Sequence, residues 1–234
     1  MNAAELYQAG QLDAAIKALG DALRDNPTDA RRRTFLFELL CFAGEYDRAE
    51  KQLDVLAASD RDAEVGALLY RSALHAERMR HAMFSSDAGL PVTTAPAVSG
   101  TFNGQPFEQL VDADPRIGAR LEVFVAGQYT WMPLAHVSAV IMEPPRRLRD
   151  LLWAPIIVHP AEHMRELELG EILMPVLTAG AWRSSDDDVR LGRKTDSETL
   201  ANGTTIPVGQ KLWFIDDEEV PILELRELVI NPAQ

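Results

Sequence analysis

The chain has 234 residues, 47% hydrophobic and 25% charged, with a net charge of −13. That length and mix describe one large or two small globular units. No basic surplus exists to neutralise phosphates, which argues against non-specific nucleic-acid binding and leaves a basic or amphipathic partner as the better fit.

The acid is uneven. Residues 1–84 carry 11 basic and 14 acidic side chains, whereas residues 85–234 carry 12 and 22. Cys41 is the only cysteine, so no internal disulfide can form and a reducing compartment is expected. It lies in the apolar run Phe35 to Phe42, where a buried, inert thiol is expected. The start, Met1-Asn2-Ala3-Ala4-Glu5, lacks the basic and apolar regions of a signal peptide. No stretch reaches the ~20 apolar residues of a membrane span. The expected location is the cytoplasm.

Residues 1–61 contain one helical hairpin written twice. Gly10, Ala15 and Leu19 recur as Gly44, Ala49 and Leu53, each 34 positions on. That is the period of a tetratricopeptide repeat. Gly closes the first helix of each pair, where a left-handed turn is cheap only for Gly. The small Ala lets two helices approach, and the Leu fills the seam beside it. Pro27 stops the second helix of the first copy. The pattern predicts helices over 3–9, 13–25, 29–43 and 47–58. A fifth runs from about Asp62 to Phe84, with Val65, Leu68, Leu69, Leu74 and Met79 at helical spacing. It closes the stack as terminal units of repeat arrays do.

Residues 85–110 read as a linker or surface loop, rich in small residues and prolines up to Gly100. From Ile117 the period becomes two. Leu121, Val123 and Val125 lead through Ala126-Gly127 to Tyr129-Thr130-Trp131-Met132, a hairpin. Val137 to Met142, Ile156 to Val158 and Glu171 to Leu177 are strand-like, and Arg146 to Trp153 is a turn or short helix. Residues 183–205 are polar and turn-rich. A last hairpin is expected from Lys211 to Ile230, tipped by Asp216 to Glu219. The fold class is therefore α+β: helical hairpins over 1–84, the connector over 85–110, and a mostly β part over 111–234. Strands this short, ended by prolines, suggest a small bent sheet or partial barrel.

Catalytic motifs are sparse. His159-Pro160-Ala161-Glu162-His163 fits the inverted zinc-peptidase pattern His-x-x-Glu-His. Two His at i and i+4 hold a metal only from one helix face. His159 follows a strand-like run and Pro160 more naturally begins a helix, so a loop is the plainer reading. No phosphate-binding loop and no Gly-x-Ser-x-Gly occurs, and Asp186-Asp187-Asp188 lacks the spaced ligands of a calcium loop. Neither a cofactor nor a metal is expected. Arg31-Arg32-Arg33 opens the third helix, but three consecutive helical residues point apart. Tyr129, Trp131, Trp153, Trp182 and Trp213 are core or binding-surface aromatics of the β part.

A series of motifs runs through the second part. Asp112-Ala113-Asp114-Pro115-Arg116-Ile117-Gly118 is followed by Leu121-Glu122 and by Gly127-Gln128-Tyr129-Thr130-Trp131-Met132-Pro133. Next come Arg149-Asp150-Leu151-Leu152-Trp153, then Gly170 to Leu177, then Arg190-Leu191-Gly192-Arg193-Lys194-Thr195-Asp196 and the Gly209-Gln210 strand. With the helical repeats before them, these motifs resemble the ImpE family, also called TagJ, over nearly the whole chain. Ser197 and Thr178-Ala179-Gly180 depart from it, where a Trp and Tyr-Pro-Gly are expected. The resemblance implies a non-enzymatic, cytoplasmic accessory protein of type VI secretion. It further implies binding to the N-terminal segment of the small sheath subunit and an influence on the AAA+ unfoldase that recycles the sheath. Candidates for partner contact are Arg31, Thr34, Glu38, Tyr129, Trp131, Arg149, Asp150 and Trp153. A general repeat-type adaptor or chaperone is the alternative, and a zinc hydrolase at His159, Glu162 and His163 a remote one.

Overall fold

The computed structural model describes residues 1–58, 61–85, 90, 98–164 and 172–232. Five helices come first: α1 (Ala3–Gln8), α2 (Leu12–Asp25), α3 (Ala30–Phe42), α4 (Tyr46–Ala57) and α5 (Arg61–Phe84). Asn2 caps α1, accepting from the N–H groups of Ala4 and Glu5, and Asp29 caps α3 by accepting from that of Arg32. Gly10 and Gly44 hold φ of +71° and +69°, the left-handed turn that their spacing implied. Ala15 and Ala49 are wholly buried, and Leu19 and Leu53 nearly so. Both copies of the hairpin thus use the same seam.

The second part is an antiparallel sheet of ten strands. Its spatial order is β11 (Glu218–Pro221), β10 (Leu212–Ile215), β2 (Gln105–Asp112), β1 (Val98–Phe102), β12 (Glu227–Ile230), β5 (Val137–Met142), β6 (Trp153–Pro160), β7 (Ile172–Pro175), β3 (Arg120–Val125) and β4 (Gln128–Pro133). The sheet curls into a half-barrel, the partial barrel that the short, proline-ended strands suggested, though with ten strands it is not small. Alternate residues fill its hollow, among them Leu121, Val123, Val140, Val158, Met174, Leu228 and Trp213. A separate hairpin of β8 (Thr195–Thr199) and β9 (Thr205–Gly209) stands beside it, after the single-turn α6 (Asp187–Arg190).

Two local expectations differ from the fold. Residues 98–110 of the expected connector form β1 and most of β2, because Val98, Phe107 and Leu110 turn into the barrel hollow. The last hairpin also divides. β11 returns along β10, but β12 crosses to lie between β1 and β5, where Leu228 and Ile230 join the core.

The outer face of the sheet receives the helices. Phe124, Leu152, Trp153, Leu173 and Leu191 of the second part belong to the same core as the helical seam, so the two parts form one packed body.

Ala49→Leu should overpack the helical seam and cost on the order of 1–3 kcal/mol, read as a lower denaturant midpoint. Gly44→Ala should also destabilise, because its Cβ would lie 2.5 Å from the Trp182 ring at positive φ. A midpoint equal to the parent's in both variants would contradict this packing.

Candidate partner-binding surface

The face that α1, α3 and α5 turn toward the β part is closed by that part. Arg80 of α5 is 2% exposed and lies at the centre of the joint. Its guanidinium donates to both carboxylate oxygens of Glu122 on β3, at 2.8 and 3.2 Å. It also donates to Glu77 (3.1 Å) and to the Leu177 carbonyl (2.9 Å). Lys211 extends the network by bridging Glu122 and Asp112, donating to the latter at 2.6 Å. Tyr129 donates its hydroxyl to Glu122 at 2.5 Å and accepts from the Trp131 indole. Glu77 accepts from the Trp153 indole at 3.0 Å and lies 3.0 Å from His81 Nε2.

Five buried charged side chains thus share one site. Burial pushes the carboxyl of Glu77 up, but the Arg80 charge and bonds from His81 and Trp153 outweigh it and hold it down to about 2. Burial likewise opposes Glu122, and the Arg80 and Lys211 charges bring it down to about 2. Asp112, with only Lys211 as a cation and Glu122 nearby, is pushed up to about 6, chiefly by burial.

Further contacts tie the rest of the helices down. Arg149 pairs with Glu38 at 3.5 Å and lies 4.7 Å over the Tyr70 ring. Burial raises the Glu38 carboxyl above its ordinary range. Asp187 accepts from the Leu12 N–H at 2.8 Å, capping α2 from the far end of the chain, where Gln11 provides no side-chain cap. Arg193 donates to the Tyr7 carbonyl and lies over the Tyr7 ring.

The candidates from the sequence therefore separate. Glu38, Tyr129, Trp131, Arg149 and Trp153 all make contacts within the chain, and Trp153 is buried. Arg31 is exposed, and Thr34 is half-buried with its hydroxyl bonded to the Ala30 carbonyl at 2.9 Å. Asp150 accepts from the N–H groups of Arg146 and Arg147 at 2.8 and 2.9 Å, on the wall of a surface groove. His159 stands exposed at the end of β6, and Glu162 belongs to the following 3-10 turn. The pattern His-x-x-Glu-His thus straddles a strand end and a turn, not the single helix face a zinc pair requires. The side chain of His163 lies outside the described residues.

Glu77, Arg80, Glu122 and Lys211 were not anticipated from the sequence. The one local signal was Glu77 and Arg80, which at i and i+3 could have been read as a pair; nothing local joins either of them to Glu122 or Lys211.

A helical-repeat protein whose inner face is sealed by its own curled sheet is the class that this geometry defines. The ImpE family model matches residues 104–229, more than half of the chain, and a tetratricopeptide repeat model matches residues 6–71. The chain belongs to the ImpE family. It is 35% identical to the Pseudomonas aeruginosa protein named "Type VI secretion system accessory component TagJ", over 100% of this chain and 92% of that one. The crystal structure of protein VPA1032 from Vibrio parahaemolyticus shares the fold, with a TM-score of 0.86 at 23% identity, over 99% of this chain and 98% of that one.

Arg80→Met should strand Glu77 and weaken the hold on Glu122, costing on the order of 3–5 kcal/mol in a denaturant melt. Glu77 and Glu122 bind protons more weakly folded than unfolded, so their contribution is complete above about pH 4.5 and is lost as pH falls toward about 2. The parent should lose stability steeply across that window. Glu77→Gln should lose less across it, and an identical slope would contradict the assignment.

Proposed function

We propose that this chain is a non-enzymatic accessory adaptor of a type VI secretion system, acting in the cytoplasm. The observation that carries the reading is the match to the Pseudomonas accessory component over the whole chain. Helical hairpins that hold other polypeptides are a recurrent use of this repeat, which fits the role. Among the described residues no helix is long and apolar enough to cross a membrane. The ligand we assign is the N-terminal segment of the small sheath subunit, held as an amphipathic helix. Through it the chain would bias how the AAA+ unfoldase recycles the sheath. Of the candidate residues, we assign Arg31, Thr34 and Asp150 to partner contact. Glu38, Tyr129, Trp131, Arg149 and Trp153 then serve by holding the two parts in register.

Calorimetric titration of the full-length chain with a synthetic peptide of that sheath segment tests the reading. Saturable binding is expected. A folded chain that binds no peptide refutes it. Neighbouring genes without a secretion apparatus would shift the reading to an adaptor of another complex.

A further inference from the structure

The outer face of the half-barrel is only partly covered by the helices. Under α5 it presents Phe124, Leu173 and Trp153, all buried. The same face continues along β6 as Pro155 and Ile157, and Ile157 is 59% exposed. Ile157 pairs across to Ile141 on β5, and exposed Val229 on β12 pairs to Ala139 on β5. A groove of about 730 Å³ runs here between the sheet and α5, with Leu69 and Tyr70 on its helical wall. Val65, one turn before Leu69 on the same side of α5, is 64% exposed. An apolar face that continues directly from a buried layer and then lies open marks an interaction surface.

We propose that this groove is the docking site of the partner, and that the occupant is an amphipathic helix with an aliphatic row and an acidic side chain near one end. The proposal rests on the adaptor reading above. The occupant is a helix for a backbone reason. β5 is hydrogen-bonded to β12 and β6, and β6 to β5 and β7, so neither strand has a free edge here. An extended peptide laid on this face would leave its own N–H and C=O groups unpaired against apolar side chains. A helix satisfies its backbone internally and offers only side chains, as α5 already does on the neighbouring strands. The acidic end follows from charge. Arg146 and Arg147 stand exposed at the rim. Asp150 turns its carboxylate to their backbone N–H groups. The pair from Arg146 to Glu143, at 3.2 Å with both side chains over 70% exposed, is one that a partner carboxylate can replace at little cost.

The test uses the full-length chain and the fluorescently labelled sheath peptide. Ile157→Asp should weaken binding at least tenfold while leaving the circular dichroism spectrum unchanged, since the residue is exposed. The double variant Arg146→Glu, Arg147→Glu should also weaken binding and flatten its dependence on salt. Peptide binding by both variants with the parent's affinity refutes the groove and leaves the adaptor reading standing. A parent chain that ignores the peptide refutes the adaptor reading and this inference together.

Discussion

Everything in this fold turns on one guanidinium taken out of water. Arg80 is surrounded by two carboxylates and a carbonyl, and each acceptor comes from a different place: its own helix, β3, and the segment after β7. Removing such a charge from solvent is expensive, and its partners restore the balance only when all are in position. The network is therefore a condition on geometry more than a source of stability. α5 must lie where Glu122 and Leu177 can be reached, and Lys211 must approach from β10's end to complete Glu122. Apolar contacts then follow. Trp153 can bond to Glu77 only when Leu152 and Leu173 are packed beneath the helices.

That condition decides what the helical repeats can do. Stacked hairpins ordinarily leave an inner face free to cradle a peptide. Here Tyr7 lies under Arg193, the α2 N-terminus is capped by Asp187, and Glu38 is taken by Arg149. The inner face is part of the core. Any partner must then use an outer surface, and the sheet edges are poor candidates. β11 is four residues long and carries Glu218 and Glu219 with Pro221 at its end, a set that discourages strand addition. At the opposite edge, α5 lies along β4, with Phe84 against Tyr129 and Trp131. The broad outer face between these edges carries the exposed Ile157 and Val229.

How much of this was legible in the sequence depends on how far apart the interacting residues lie. The 34-residue offset is local chemistry, and Gly10, Gly44, Ala15 and Ala49 stand where that offset put them. The hairpin of β3 and β4 was legible for the same reason, since Ala126 and Gly127 form its turn between alternating strands. The joint was not, because Arg80 finds Glu122 42 positions away and Asp187 finds Leu12 175 positions away. Nothing in the residues near either partner signals such a meeting. The aromatics show the same limit. Tyr129 and Trp153 carry enough apolar area for a core or a binding face, and only the placement of α5 puts them in the joint.

The acid of the second part shows why composition is a poor guide to a surface. Asp112 and Glu122 belong to the buried network, and Asp114 is closed in a bidentate pair with Arg116 beneath Phe84. Asp216, at the hairpin tip, turns back to accept from the N–H groups of Glu108 and Gln109. Asp186 and Asp187 cap helices, and Asp187 also holds Arg190. Part of the acid in this half is thus held in internal bonds rather than displayed. The charge around the open apolar face is set locally, by exposed Arg146 and Arg147 beside Glu143 and Asp150. A chain with a net charge of −13 can in this way present exposed guanidinium groups beside an open stretch of apolar surface.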